Sequence, residues 1–341
     1  MVPMVSGGEI KPPWFSQENA EEAENPDRFV LSALSAASCK LVRWFGLSVF
    51  HFWPYLSHVN PALDKPALED ELGDVLEKAA RNVPLSIESL ALAAKVDHGR
   101  LQDALDYRSE LNAAEIGRLA TALNLNEVGL NALAQGLYPL PEPVGLPFCL
   151  HPLRMPYGVG VANAYLVSTG GDSAVLFDTG ASHAELHRAW PAKIQRLDAV
   201  FVTHYEAEHI GGLEVVLRES ELGHFHGPPN GRWPQCRGLG EGQTVEAGGF
   251  TITAFSTPGH AAEHNCYLVR LSGQPTRTAV LISGDLIFAG SLGGGYFCCQ
   301  RQLKHSRRIM DLLADDTIIA PGHGPLTTAA NERLFNPFLA V

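Results

Sequence analysis

The chain has 341 residues, a formal net charge of −12, 45% hydrophobic residues and 18% charged residues. That length suggests two domains rather than one. That charge argues against a protein held to nucleic acid mainly through phosphates. The six cysteines include no CxxC pair and no disulfide-framework spacing, which points to a reducing, cytoplasmic setting.

Residues 1–67 read as an N-terminal extension, partly disordered and partly helical. The first 28 are polar and acidic, with no basic stretch before an apolar core, so they do not form a signal peptide. The apolar run Phe29–Leu56 is interrupted by Lys40, Arg43, His51 and Pro54. Its cleanest part, Trp44–Tyr55, is too short to cross a bilayer. A helix packed on the body of the protein is expected there.

Residues 68–135 have a helical pattern throughout. Leu72, Val75, Leu76 and Ala79 share one helical face. Ser86 can cap a helix, and Asn112 with Glu115 forms a capping box ahead of Ile116, Leu119, Ala120 and Leu123. The order of short helices resembles the helix-turn-helix domain of phage-repressor type, on Leu90-Ala91, Ala94, Val96, Ile116, Leu119-Ala120 and Leu123. The helix that would enter a DNA groove contains Asp97, His98, Arg100, Gln102, Asp103 and Asp106. From Leu76 to Gln135 acids outnumber bases eight to six, which suits a phosphate backbone badly. DNA binding is therefore not favoured, and a docking module or a homodimer contact is preferred.

Residues 136–147 are Pro-rich and read as a linker. Residues 148–341 alternate short apolar strands with Gly-rich loops. Strands are expected at 162–167, 174–177, 197–203, 250–256, 266–271, 278–283 and 317–320, and helices at 182–194, 208–220 and 302–314. This pattern predicts a layered α/β sandwich.

The loops that end these strands carry metal-type side chains. They are Asp178-Thr179-Gly180, His204-x-Glu206-x-Glu208-His209, Pro258-Gly259-His260, Gly284-Asp285 and Gly322-His323. Imidazoles and carboxylates together suit a divalent transition metal. The set, in this order, resembles the metallo-β-lactamase superfamily from Phe148 to the C-terminus, which implies an αββα sandwich there; the helical pattern of residues 68–135 adds an all-α N-terminal domain before it. The resemblance further implies a first metal on His204, Glu206 and His260, and a second on Glu208, His209 and His323. Asp285 would bridge the two, and Asp178 would support the loops. His264 competes with His260 as ligand. His183, His224, His226 and His305 match no motif, and each reads as a surface or supporting residue.

Two positions leave the family pattern. Glu206 stands where the family has its second His, and Glu208 where it has Asp. The resulting motif is similar to that of the flavodiiron branch, which carries HxExDH and two irons. More carboxylate favours harder ions, so iron is expected, with manganese or zinc as alternatives. No flavodoxin-type segment follows before Val341. The expectation is therefore a di-iron centre that binds or reduces dioxygen, nitric oxide or peroxide, as a sensor or with a separate electron-donor protein. The alternatives are a hydrolase of an ester, thioester, lactone or phosphodiester, with Asp285 and Glu208 as catalytic groups, and a metal-sensing transcriptional regulator. The Gly290–Gly295 loop with Tyr296 is expected to shape a pocket for a small molecule. Cys298 and Cys299 read as two packed thiols.

Overall fold

The computed structural model describes residues 66–83, 85–142, 145–229, 232–273 and 278–339. The expectations for residues 1–65, Phe29–Leu56 among them, fall outside the described residues.

Five helices come first: α1 (Leu72–Ala80), α2 (Ile87–Ala94), α3 (His98–Leu105), α4 (Ala113–Leu123) and α5 (Glu127–Ala134). Side chains satisfy the free N–H groups at four of their starts. Ser86 accepts from the Ser89 N–H, Asp97 from Arg100, and Asn126 from Gly129. Asn112 and Glu115 form the reciprocal capping box expected of them. The Arg100 guanidinium is bonded to the Glu115 carboxylate at 2.8 Å.

Two six-stranded sheets follow. The first is built from β1 (Cys149–Tyr157), β2 (Gly160–Ser168), β3 (Ser173–Phe177), β4 (Arg196–Phe201), β5 (Phe225–Gly227) and β6 (Cys236–Gly238), in that order. Helices α6 (His183–Ala189), α7 (Ala207–Ile210) and α8 (Leu213–Glu219) interrupt it. The second sheet starts with β7 (Thr244–Ala247), β8 (Phe250–Ser256), β9 (Asn265–Leu271) and β10 (Val280–Gly284). A small hairpin, β11 (Ile287–Phe288) and β12 (Ser291–Leu292), then leads to α9 (Cys299–Leu312). The sheet is completed by β13 (Ile318–Pro321) and β14 (Thr327–Thr328), and α10 (Ala329–Phe335) ends the described elements. Its spatial order is β14-β13-β10-β9-β8-β7.

Alternation along the strands divides the core. Val175, Phe177, Phe201, Phe250, Tyr267, Val269, Val280 and Ile282 fill the space between the sheets. Leu176 and Val200 face outward, against Leu186, Leu213 and Val216 of α6 and α8. Leu268 and Leu281 face the other way, in one cluster with Ile309 of α9 and with Leu76, Leu101 and Leu119 of the helical segment. The helices of residues 72–134 thus share an apolar core with the outer face of the second sheet.

Several elements depart from expectation. The helix expected over 208–220 is two, broken at Gly211-Gly212, where the Gly211 N–H donates to the Gly180 carbonyl at 2.8 Å. The helix expected to reach 194 ends at Ala189, because Pro191 restricts the residue before it. The last predicted helix begins earlier, at Cys299, and ends at Leu312. Strand β1 was not expected because Pro152 and Pro156 mask it. Its place at the sheet edge tolerates them. Cys298 and Cys299 are not packed together: the Cys298 thiol faces Gln300, and that of Cys299 donates to the Arg81 carbonyl. Of the histidines that match no motif, His183 and His226 are buried, which leaves them the supporting rather than the surface half of that expectation.

Helix α5 meets α10 backbone to backbone, and a Cβ on Gly129 would lie 1.6 Å from the Phe335 carbonyl oxygen. Gly129→Ala is therefore expected to destabilise the protein by about 1–3 kcal/mol, the usual range for overpacking. Urea unfolding of the full chain measures this, and an unchanged midpoint would refute the close contact.

Candidate metal centre

The centre is assembled from strand ends. At the end of β3, Asp178 adopts a left-handed backbone with φ of 59°, which Asp tolerates better than most residues. Its carboxylate accepts the Thr203 N–H at 2.7 Å and the Thr203 hydroxyl at 2.8 Å, and lies 3.2 Å from His209 Nδ1. Thr203 Oγ1 is in turn 3.0 Å from His204 Nδ1. With Nδ1 of His204 against the Thr203 hydroxyl and Nδ1 of His209 facing the Asp178 carboxylate, each imidazole is left to present Nε2 inward. The support role expected of Asp178 has this physical form.

Three other loops supply the remaining groups. His260, after β8, has Nδ1 2.8 Å from the Gly294 carbonyl, and its Nε2 lies 3.0 Å from Glu206 Oε1 and 3.5 Å from Asp285 Oδ2. His323, after β13, has Nδ1 2.9 Å from the Val161 carbonyl and Nε2 3.4 Å from Asp285 Oδ2. Asp285, after β10, also has Oδ1 3.5 Å from His209 Nε2. A Cβ on Gly322 would stand 2.1 Å from Asp285 Oδ1, so only glycine fits beside this carboxylate.

All seven expected residues gather here. Their donor atoms form three sets, each with its atoms within 4.8 Å of one another: His204, Glu206 and His260; Glu208, His209 and His323; and His204, His209 and Asp285. Buried His204 Nε2, His209 Nε2 and Asp285 Oδ1 have no hydrogen-bond partner. Orphaned buried polar atoms are costly, and these converge with the geometry and chemistry of ligands. The residues thus fit divalent transition-metal ions. His264, by contrast, has both ring nitrogens engaged: Nδ1 lies 2.8 Å from Thr257 Oγ1, and Nε2 accepts the Asp285 N–H at 3.2 Å. Burial lowers His264 to about 3, so it stays neutral.

Without metal, protons take up part of the charge imbalance. Burial opposes protonation of His209, His260 and His323, yet Asp285 together with a second carboxylate beside each ring, Asp178, Glu206 and Glu69 in turn, outweighs it. The pKa of each is raised, that of His323 to about 10. Burial and then the His209 charge hold His204 well below its usual range. Burial would raise Asp285, but the surrounding imidazoles, His323 first, hold it well below. Metal uptake must displace these protons. Titration at pH 7 in buffers of different ionisation enthalpy is expected to register proton release, and affinity is expected to fall as pH drops. Uptake with no proton release would refute this.

Two residues at the rim were not anticipated. Tyr157 is 41% exposed, and burial followed by its hydrogen-bonded neighbour Glu208 raises its pKa. Glu69 Oε2 lies 3.9 Å from His323 Nδ1. An aromatic residue at the end of a strand, just before Gly158, could have drawn notice. Nothing local marks Glu69. The Tyr296 ring lies 5.3 Å from His260, at the place where the Gly-rich loop was expected to shape a pocket.

Residues 157–323 match the profile of the metallo-beta-lactamase superfamily, so the C-terminal region carries a domain of that superfamily. Hydroxyacylglutathione hydrolase of Salmonella typhi is 29% identical over 153 residues, covering 44% of this chain and 56% of the relative. The chain spans about half the length of the curated relatives it matches. Among solved structures, the B3 metallo-beta-lactamase BLEG-1 is 27% identical, with 55% of this chain and 99% of that chain covered and a TM-score of 0.44. A protein solved in a di-iron-bound form is 26% identical, with 54% and 98% covered and a TM-score of 0.43. Among the described residues no helix is long and apolar enough to cross a membrane.

Proposed function

We propose that this metallo-β-lactamase superfamily domain binds two divalent transition-metal ions and hydrolyses a small acyl ester or thioester. The observation that carries the reading is the convergence of unpartnered His204 Nε2, His209 Nε2 and Asp285 Oδ1 inside a ring of further imidazoles and carboxylates. His204, Glu206 and His260 would hold one ion, Glu208, His209 and His323 the other, and Asp285 would lie between them. When bound, such a pair supplies a nucleophilic hydroxide at neutral pH and polarises a carbonyl oxygen. Asp285, with its two oxygens among three imidazoles, is the group placed to hold or pass a proton at the attacked centre. Tyr157, paired with Glu208 and half exposed, can orient a substrate oxygen at the mouth. The exposed rings of Tyr296 and Phe297 offer an apolar wall for the rest of the molecule. The similarity to hydroxyacylglutathione hydrolases supports acyl transfer to water as the reaction class.

Glu206 favours a second reading, a di-iron centre that acts on dioxygen, nitric oxide or peroxide through an electron-donor protein or as a sensor. A carboxylate in place of an imidazole suits harder ions. On either reading the partner is a small molecule, with a homodimer through the helical segment as a further expectation. The helical segment suits neither DNA binding nor a transcriptional regulator, since α3 is preceded by Asp97, contains Asp103 and has Arg100 tied to Glu115. Metal analysis of anaerobically purified protein, optical spectra before and after air, and assays on S-acyl and O-acyl esters separate the two. Metal-dependent ester turnover supports hydrolysis. An air-sensitive iron band without turnover supports the second reading. Protein that takes up no transition metal overturns both.

A further inference from the structure

We propose that Asp70 and Lys78, from the segment that leads into and forms α1, are positioning residues for the metal centre. They act by fixing the β11–β12 hairpin, whose two ends carry the settings of Asp285 and His260. The inference rests on the paired-metal reading above. Both residues lie outside residues 157–323, the part that matches the superfamily profile.

The hairpin begins just after Asp285 and returns beside it. A Cβ on Gly293 would lie 1.9 Å from the Asp285 carbonyl oxygen, so the two backbones are in contact where the hairpin closes. The next residue, Gly294, offers its carbonyl to His260 Nδ1 at 2.8 Å and thereby aims that ring. One hairpin therefore governs a carboxylate and an imidazole that face each other at 3.5 Å.

What holds the hairpin comes from two directions. On one side, Gly290 N–H donates to Glu332 Oε2 at 3.0 Å, and Asn336 Nδ2 donates to the Ser291 carbonyl at 3.0 Å. On the other, the Ser291 hydroxyl donates to the Asp70 carboxylate, and Lys78 Nζ donates to the Leu292 carbonyl at 2.8 Å. Asp70 and Lys78 are themselves an ion pair, and Lys78 Nζ sits 5.4 Å from the centre of the Phe288 ring. Asp70 is 7% exposed and Ser291 fully buried, so water is poorly placed to replace these bonds. The ammonium is thus fixed at three points, two of them on the hairpin. Loss of Lys78 leaves the buried Asp70 carboxylate without its cation next to the returning strand, and loss of the Asp70 charge leaves the half-buried ammonium without its anion. Glu69, the neighbour of Asp70, stands beside His323, so one short segment borders the site at two places.

Cobalt(II) titration of the full chain tests this, with the visible spectrum recorded at one and two equivalents. Asp70→Asn and Lys78→Met are expected to weaken binding of at least one ion by about tenfold or more and to alter the spectrum. Lys78→Arg is expected to restore both in part, since it keeps a cation and donors. Leu119→Ala, in the same helical core but remote from the hairpin, should lower thermal stability and leave the spectrum unchanged. Ser291→Ala, which removes only the hydroxyl bond, carries the test should Asp70→Asn fail to fold. Folded Asp70→Asn, Lys78→Met and Ser291→Ala proteins that match the wild type in affinity and spectrum overturn the inference alone. An equal spectral change in Leu119→Ala overturns it too, because the effect would then be general loosening. Wild-type protein that takes up no cobalt overturns the metal reading beneath it.

Discussion

Asp285→Asn is expected to lower the turnover of an acyl ester by about 10²- to 10⁴-fold, the range of a lost proton-transfer group. The protein should also retain fewer than two metal ions. The side chain is isosteric, and the glycine at Gly322 that admits the carboxylate also admits an amide. The main-chain bond from Gln302 Nε2 to the residue 285 carbonyl, 2.8 Å, does not depend on the side chain. Fold is therefore retained while charge is lost. That charge is what the three imidazoles of His209, His260 and His323 face, and an amide is a poorer ligand for a cation. Steady-state kinetics at saturating substrate and metal analysis of the same sample check both halves. Wild-type turnover with two ions bound would sink the assignment of Asp285 as the shared group.

Glu206→His is expected to move the metal content from iron toward zinc, with relative affinity changing about 10- to 100-fold, as for other changes around a metal ligand. Glu206 precedes α7 with an extended backbone, φ −76° and ψ 150°, and its side chain is 35% exposed, so an imidazole can be accommodated. It faces His260 Nε2 at 3.0 Å, and a His there would place three imidazoles around one ion position. Growth with both metals supplied, followed by metal analysis, gives the Fe:Zn ratio of each protein. On the hydrolytic reading the variant keeps ester turnover. On the di-iron reading it loses the air-sensitive band. An unchanged ratio would mean that this carboxylate does not set metal preference.

Much of the site was legible because its demands are local. A ligand must be an imidazole or carboxylate, and the loop that holds it must turn sharply at a strand end. Thus Gly284-Asp285, Gly259-His260 and Gly322-His323 carry their meaning within two residues each. In the second sheet, the half-exposed β7 and the two-residue β14 leave no apolar run, whereas β8, β9, β10 and β13 were legible as short apolar runs. Strand β1 was not, because Pro152 and Pro156 suppress its pattern while the edge position that excuses them is a tertiary fact. The choice between His260 and His264 was likewise open in sequence. Both follow the same turn, and the direction of each ring is decided by remote partners, the Gly294 carbonyl for one and the Asp285 N–H for the other.

By itself, the sequence determined which imidazole and carboxylate side chains stand in the strand-end loops and in what succession, Glu206 and Glu208 among them. Composition and short spacing suffice for these. Only the tertiary structure decided that the helices of residues 72–134 share a core with the second sheet, that Glu69 flanks His323, and that Asp70 and Lys78 grip the hairpin behind Asp285. The bonds from Asp70 to Ser291 and from Lys78 to Leu292 span 221 and 214 residues. Contacts at that separation impose no period and no motif on the chain. They exist only because burying the outer face of the second sheet brings α1 to the hairpin, where two buried polar groups then need partners.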